Sequence, residues 1–92
     1  MQFEWDERKR RINLQKHGLD FRDVWKIFNA PLVIAPDERK DYGEERWTGI
    51  GVLQGQIVVI AFTERAEETI RVISLRKAMP HERANYYSTI GN

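Results

Sequence analysis

The sequence predicts an α+β domain in which two N-terminal helices pack on a small antiparallel β meander that ends in a short C-terminal helix. Three observations carry this. Phe21, Val24, Trp25 and Phe28 recur at the i, i+3, i+4, i+7 spacing of a helix face. Ile57 to Thr63 is a continuous apolar run of the kind a central strand shows when both its faces are covered. Thr69 to Leu75 is rich in β-branched residues and follows the polar turn Glu64 to Glu68.

Taken in order, Gln2 to Trp5 alternates apolar and polar residues as a short strand does, and Asp6 is placed to cap the polar helical run Glu7 to His17. Lys16 and His17 fall in its last turn, where cations complement the helix dipole, and Gly18 suits the left-handed residue that ends a helix. Leu19, Asp20, Asp23 and Val24 form a hydrophobic staple with an acidic variant of the capping box, opening a second helix. Its stripe of Phe21, Val24, Trp25 and Phe28 is expected to face the core, and Asn29-Ala30-Pro31 ends it. Leu32 to Ala35 reads as a strand, Pro36 to Glu44 as a charged connection turning at Asp41-Tyr42-Gly43, and Arg46 to Leu53 as the next strand. Gln54-Gly55-Gln56 turns the chain into Ile57 to Thr63. Pro80 stands at the first position of a helix, where proline is accepted, and His81 to about Ser88 completes the chain. No repeat or linker interrupts this order, so residues 1–92 are read as one domain.

With 41% hydrophobic residues, three Trp, four Phe and three Tyr, 92 residues suffice for one modest core, and 32% charge keeps the surface solvated. The absence of cysteine excludes disulfides, thiolate metal sites and a cysteine nucleophile, and fits a reducing compartment. No stretch nears the roughly 18 apolar residues that span a bilayer, and Met1 to Asp6 lacks the features of a signal peptide, so a cytoplasmic protein without membrane contact is expected. The net charge of +1 conceals an asymmetry: residues 30–68 hold eight acids and four bases, residues 69–92 four bases and one acid. Basic ends around an acidic middle suit a chain that meets a polyanion on one face.

The most informative stretch is Ile70-Arg71-Val72-Ile73-Ser74-Leu75-Arg76-Lys77-Ala78. A half-buried guanidinium in a strand must be answered by a carboxylate or left for an anionic ligand. On strict alternation Arg71 and Arg76 point to opposite faces, so one is expected to pair with an acid such as Glu4 or Glu45 while the other faces a cleft. With Arg46, Arg65, Lys77 and Arg83 they make a set of cations, some of which should be free for phosphate. Phosphodiester cleavage by 2′-hydroxyl attack needs a base, cations for the pentacovalent species and an acid for the leaving oxygen. His17, His81, Glu82, Lys77 and Tyr86 are the acid and base candidates, with Glu82 and Tyr86 four apart on one helix face and Arg83 beside them. Plainer readings stand alongside: a dipole-complementing helix end at Lys16-His17, a Tyr86 packed on the sheet, and a solvated face for Arg8-Lys9-Arg10-Arg11. No metal-ligand spacing, calcium loop, phosphate-binding glycine loop or nucleophile elbow occurs, so neither metal nor cofactor is expected.

With these residues identified, the chain resembles the BrnT toxins, the ribonuclease half of a type II toxin-antitoxin pair with a RelE-like fold. The resemblance rests on Phe3-Glu4-Trp5-Asp6, Asn13, Lys16-His17-Gly18 with Phe21, Glu45-Arg46, the Ile70 to Ala78 stretch, Glu82-Arg83 and Tyr86. It implies RNA cleavage, growth arrest, and neutralisation by a small ribbon-helix-helix antitoxin, operator DNA being bound only through the antitoxin complex. Met79 stands where that family tends to place Ser or Thr, which removes a side-chain cap from the last helix.

The expected site therefore has Arg65, Arg76 and Arg46 on the scissile phosphate, with Lys16, His17 or Glu82 managing protons and Arg71, Lys77, Arg83 and Tyr86 contacting RNA. A non-catalytic binding module, or a degenerate toxin that keeps only antitoxin binding, are the alternatives.

Overall fold

The computed structural model describes residues 1–91. Its elements are β1 (Gln2–Trp5), α1 (Glu7–His17), a 3-10 turn (Phe21–Asp23) running directly into α2 (Val24–Phe28), β2 (Val33–Pro36), β3 (Trp47–Leu53), β4 (Gln56–Arg65), β5 (Thr69–Lys77) and α3 (Pro80–Ile90). Asp6 caps α1 by accepting hydrogen bonds from the Arg8 and Lys9 backbone N–H groups, and Gly18 closes it at φ +70°, a conformation that strains any side chain. α3 runs two residues beyond Ser88, to Ile90.

The strands make one five-stranded sheet in the order β1-β5-β4-β3-β2. Neighbours from β2 to β5 are antiparallel, whereas β1 runs parallel to β5, with Gln2 opposite Thr69 and Trp5 opposite Val72. The four strands β2 to β5 form the expected antiparallel meander, and the parallel β1 at its edge makes the sheet mixed, which the meander alone does not predict. Residues 6–68 separate β1 from β5, and so long a connection permits parallel pairing where a tight turn would not.

The larger core fills one sheet face, where Leu19, Phe21, Val24 and Ile27 meet Val58, Ile60, Phe62, Val72 and Leu75. The stripe predicted for the second helix is half right. Phe21 and Val24 are buried and Phe28 packs against the core, but Trp25 is 50% exposed and Ile27 takes its place. The helical run opens with a tighter 3-10 turn, which rotates the following positions relative to an uninterrupted α-helix. β3 presents Gly49 and Gly51 to this layer, so that Ile27 and Leu32 approach the strand backbone closely. On the opposite face α3 covers only one end, with Tyr86 and Ala78 against Ile57 and Val59.

One irregularity decides where the basic residues point. Ala61 lies opposite Ser74 but Phe62 lies opposite Val72, so β5 carries an extra residue, a β-bulge at Ile73. The bulge resets the alternation. Val72 and Leu75 both enter the larger core, and Arg71 and Arg76, opposite Thr63 and Val59, share the other face. This corrects the expectation of opposite faces.

Beyond the end of β1 the outer edge of β5 has lost its strand partner, and the buried Asn13 of α1 takes over. Its side chain donates to the Leu75 carbonyl (2.8 Å) and accepts from the Leu75 N–H (3.1 Å), as a neighbouring strand would, and donates to the Leu19 carbonyl (3.2 Å). One amide therefore fixes α1 to β5 and sets the position of Lys16 and His17 a turn later.

Candidate active site

Lys16 and His17 at the C-terminal end of α1, Arg76 and Lys77 at the end of β5, and Met79 enclose an open hollow of about 490 Å³. Asn13 holds the α1 end in place, and Gly18 stops α1 there, so that its last turn lies beside the end of β5. Among the described residues, no carboxylate lies within ion-pairing distance of Lys16 or Lys77. The hollow thus combines two uncompensated ammonium groups, a half-buried imidazole and a guanidinium.

Arg76 is pre-oriented. Its Nη1 and Nη2 donate to Glu82 Oε1 and Oε2, each at 2.8 Å, and Nη1 also donates to the Lys77 carbonyl at 3.2 Å. Glu82 uses the end of the guanidinium and leaves the side edge, Nε–H and Nη2–H, facing away from it. That edge is the fork suited to a phosphate. Glu82 accepts in addition from the Met79 N–H at 2.8 Å, so α3 has a reciprocal carboxylate cap even though Met79 supplies no side-chain cap. The Arg76 bond, outweighing partial burial and aided by the Met79 N–H, depresses the Glu82 carboxyl to about 2. A carboxylate so acidic is a weak base and holds no proton to give near neutral pH. The structure places both Glu82 carboxylate oxygens on Arg76 and the Met79 N–H, where the side chain orients the guanidinium.

Two comparisons bear on this arrangement. A model of the family described as "Ribonuclease toxin, BrnT, of type II toxin-antitoxin system" matches residues 5–82. The chain belongs to the BrnT toxin family. The crystal structure of the Brucella abortus ribonuclease toxin BrnT superposes with a TM-score of 0.71 at 34% identity, covering 86% of this chain and 97% of that one. The comparison with curated proteins gives no match. The solved structure shares the α+β fold of this chain, which among the described residues has a five-stranded mixed sheet and three α-helices. No helix among the described residues is long and apolar enough to cross a membrane.

In this BrnT-family chain the other predicted site residues are dispersed. Arg46 and Arg65 share Glu44, at 3.2 and 3.8 Å, and Arg46 stacks on the Tyr42 ring at 4.0 Å. The hollow beside Arg46 is lined by Asp37, Glu38, Glu44 and Glu45, an acidic setting that repels RNA. Arg65 lies six β4 residues beyond the partner of Arg76, about 20 Å along the strand. One phosphate cannot touch Arg46, Arg65 and Arg76 together, which corrects the predicted triad. Arg71 donates to Glu4 at 2.7 Å and serves the β1–β5 pairing. Tyr86 is buried on the sheet, its hydroxyl donating to the Pro31 carbonyl at 3.2 Å, and does not reach a ligand surface. Arg83 is exposed and folds back onto the Ala78 carbonyl at 3.0 Å, and His81 is exposed one residue into α3.

The guanidinium groups expected to be unpaired are therefore each taken by an acid or a carbonyl, and among the predicted site residues Lys16 and Lys77 carry the charge that no carboxylate answers. The sequence pattern does not flag Arg39, which pairs with the buried Asp37 at 2.8 Å and lines a smaller hollow with Arg76 and Glu82. Its only signal is a basic residue inside the acidic connection before β3.

Proposed function

We propose that the protein is a metal-independent endoribonuclease toxin whose site is the Lys16–His17–Arg76–Lys77 hollow. The observation that supports this is the coincidence of two unpaired ammonium groups, an imidazole and an Arg fork in one solvent-open space. In this reading the Arg76 side edge and Lys77 bind the non-bridging oxygens of the scissile phosphate and stabilise the pentacovalent species. His17 takes the 2′-hydroxyl proton as the 2′-oxygen attacks phosphorus. The P–O5′ bond breaks, the 5′-oxygen leaves with a proton from Lys16, and a 2′,3′-cyclic phosphate remains. Growth arrest, a RelE-like relationship of the fold, a ribbon-helix-helix antitoxin as partner, and operator DNA bound only through the antitoxin complex belong to the same proposal.

Incubating purified protein with single-stranded RNA in EDTA tests it. Cleavage that persists in chelator and ends in 2′,3′-cyclic phosphates is the expected result, and cleavage that requires a divalent cation would overturn it. The ion pairing of Arg46, Arg65, Arg71 and Arg76 favours one rival, a binding module without chemistry. Salt-sensitive retention of intact RNA, with no cleavage, would establish that module instead.

A further inference from the structure

A second hollow of about 230 Å³ adjoins the first along the seam between α1 and the bulged part of β5. Lys9, Ile12, Lys16, His17, Ile73 and Ser74 line it, so Lys16 and His17 belong to both spaces. Lys9 and Lys16 are two helical turns apart on one side of α1, about 10 Å, and Lys9 has no carboxylate within ion-pairing distance among the described residues. Ile12 lies between them. It is 54% exposed on a helix whose other exposed side chains are all polar or charged, and the half-buried Ile73 faces the same space. The core needs neither contact: α1 is anchored through Asn13, and Ile12 packs in neither core cluster. Cation, apolar platform and cation in succession match phosphate, unstacked base and phosphate along an extended strand.

We infer that this seam groove is a subsite for the nucleotide flanking the scissile phosphate, with Lys9 on the neighbouring phosphate and the base laid on Ile12 and Ile73. The substrate class is then single-stranded RNA longer than a dinucleotide. A base still paired and stacked in a duplex cannot reach the two isoleucines. The assignment of cleavage to the adjoining hollow is the reading proposed above, but occupancy of the groove is measurable without it.

The test uses fluorescence anisotropy with an uncleavable 2′-O-methyl oligonucleotide, comparing wild type with the exposed-site variants Lys9→Ala and Ile12→Ser. Each variant should weaken binding of the long single strand about fivefold at low salt; the Lys9→Ala loss should shrink as salt rises and be absent for a dinucleotide, which lacks the neighbouring phosphate, whereas Ile12→Ser should weaken the dinucleotide as well. Unchanged binding of the long strand in either variant would overturn the subsite, as would a Lys9→Ala loss of equal size for dinucleotide and long strand. If the binding shifts appear but wild type cleaves no RNA, the subsite stands and the catalytic reading falls.

Discussion

At the residue scale, Arg76 and Asn13 carry the site in different ways. Arg76→Lys keeps the charge but loses the fork that meets Glu82 at one edge and, in the proposed function, phosphate at the other, so RNA cleavage should fall about tenfold or more while the far-UV circular dichroism spectrum stays native. Retained cleavage would show that Arg76 acts only by attracting RNA. Asn13→Ala leaves the Leu75 N–H and carbonyl and the Leu19 carbonyl without partners, and should cost about 2–4 kcal/mol in urea unfolding. The sequence marks Arg76 as important, since an Arg in a β-branched strand demands an anion, but it does not name Glu82 as the answer. That pairing arises because the chain after Ala78 folds α3 back across the end of β5, a contact with no signature in local spacing. Asn13 was visible only as part of a resemblance. Its role depends on where β1 stops.

At the element scale, the caps of the first helix and the antiparallel meander were legible, while the parallel partner of the first strand and the bulge in the last were not. Asp6 and Gly18 bracket α1 as their capping chemistry dictates, because caps act through residues two to four positions away. The bulge at Ile73 leaves no such trace, since it contains neither glycine nor proline, and it alone places Arg71 and Arg76 on one face. In the second helical segment, Ile27→Ala should destabilise by about 2–5 kcal/mol and Trp25→Ala by less than about 1, the reverse of what the apolar stripe alone suggests; thermal melts of the two variants check this. Gly51→Ala tests the close approach of α2 to β3. A Cβ there would stand 2.8 Å from Ile27 Cγ2, and the overpacking should cost about 1–3 kcal/mol.

At the scale of the whole molecule, the carboxylates that tie elements together make stability depend on acid. Glu82 is held at about 2, against an ordinary 4.5, chiefly by Arg76. Asp20 also stands at about 2, where burial pushes upward and is outweighed by hydrogen bonds from Arg22 and Arg10. Both folded values are depressed, so the stabilisation is fully present above about pH 4.5 and is lost as the pH falls toward 2. The melting temperature of Glu82→Gln should therefore lie below wild type near neutral pH and converge with it in acid; a constant gap would show that ionisation of Glu82 contributes nothing. The placement of β1 has a different consequence. During synthesis β1 must wait for residues 69–72 before it has a neighbour, and the hollow at the end of α1 lacks two of its cations until Arg76 and Lys77 emerge. In the order of synthesis the edge of the sheet and the proposed site are therefore completed together, by the same strand.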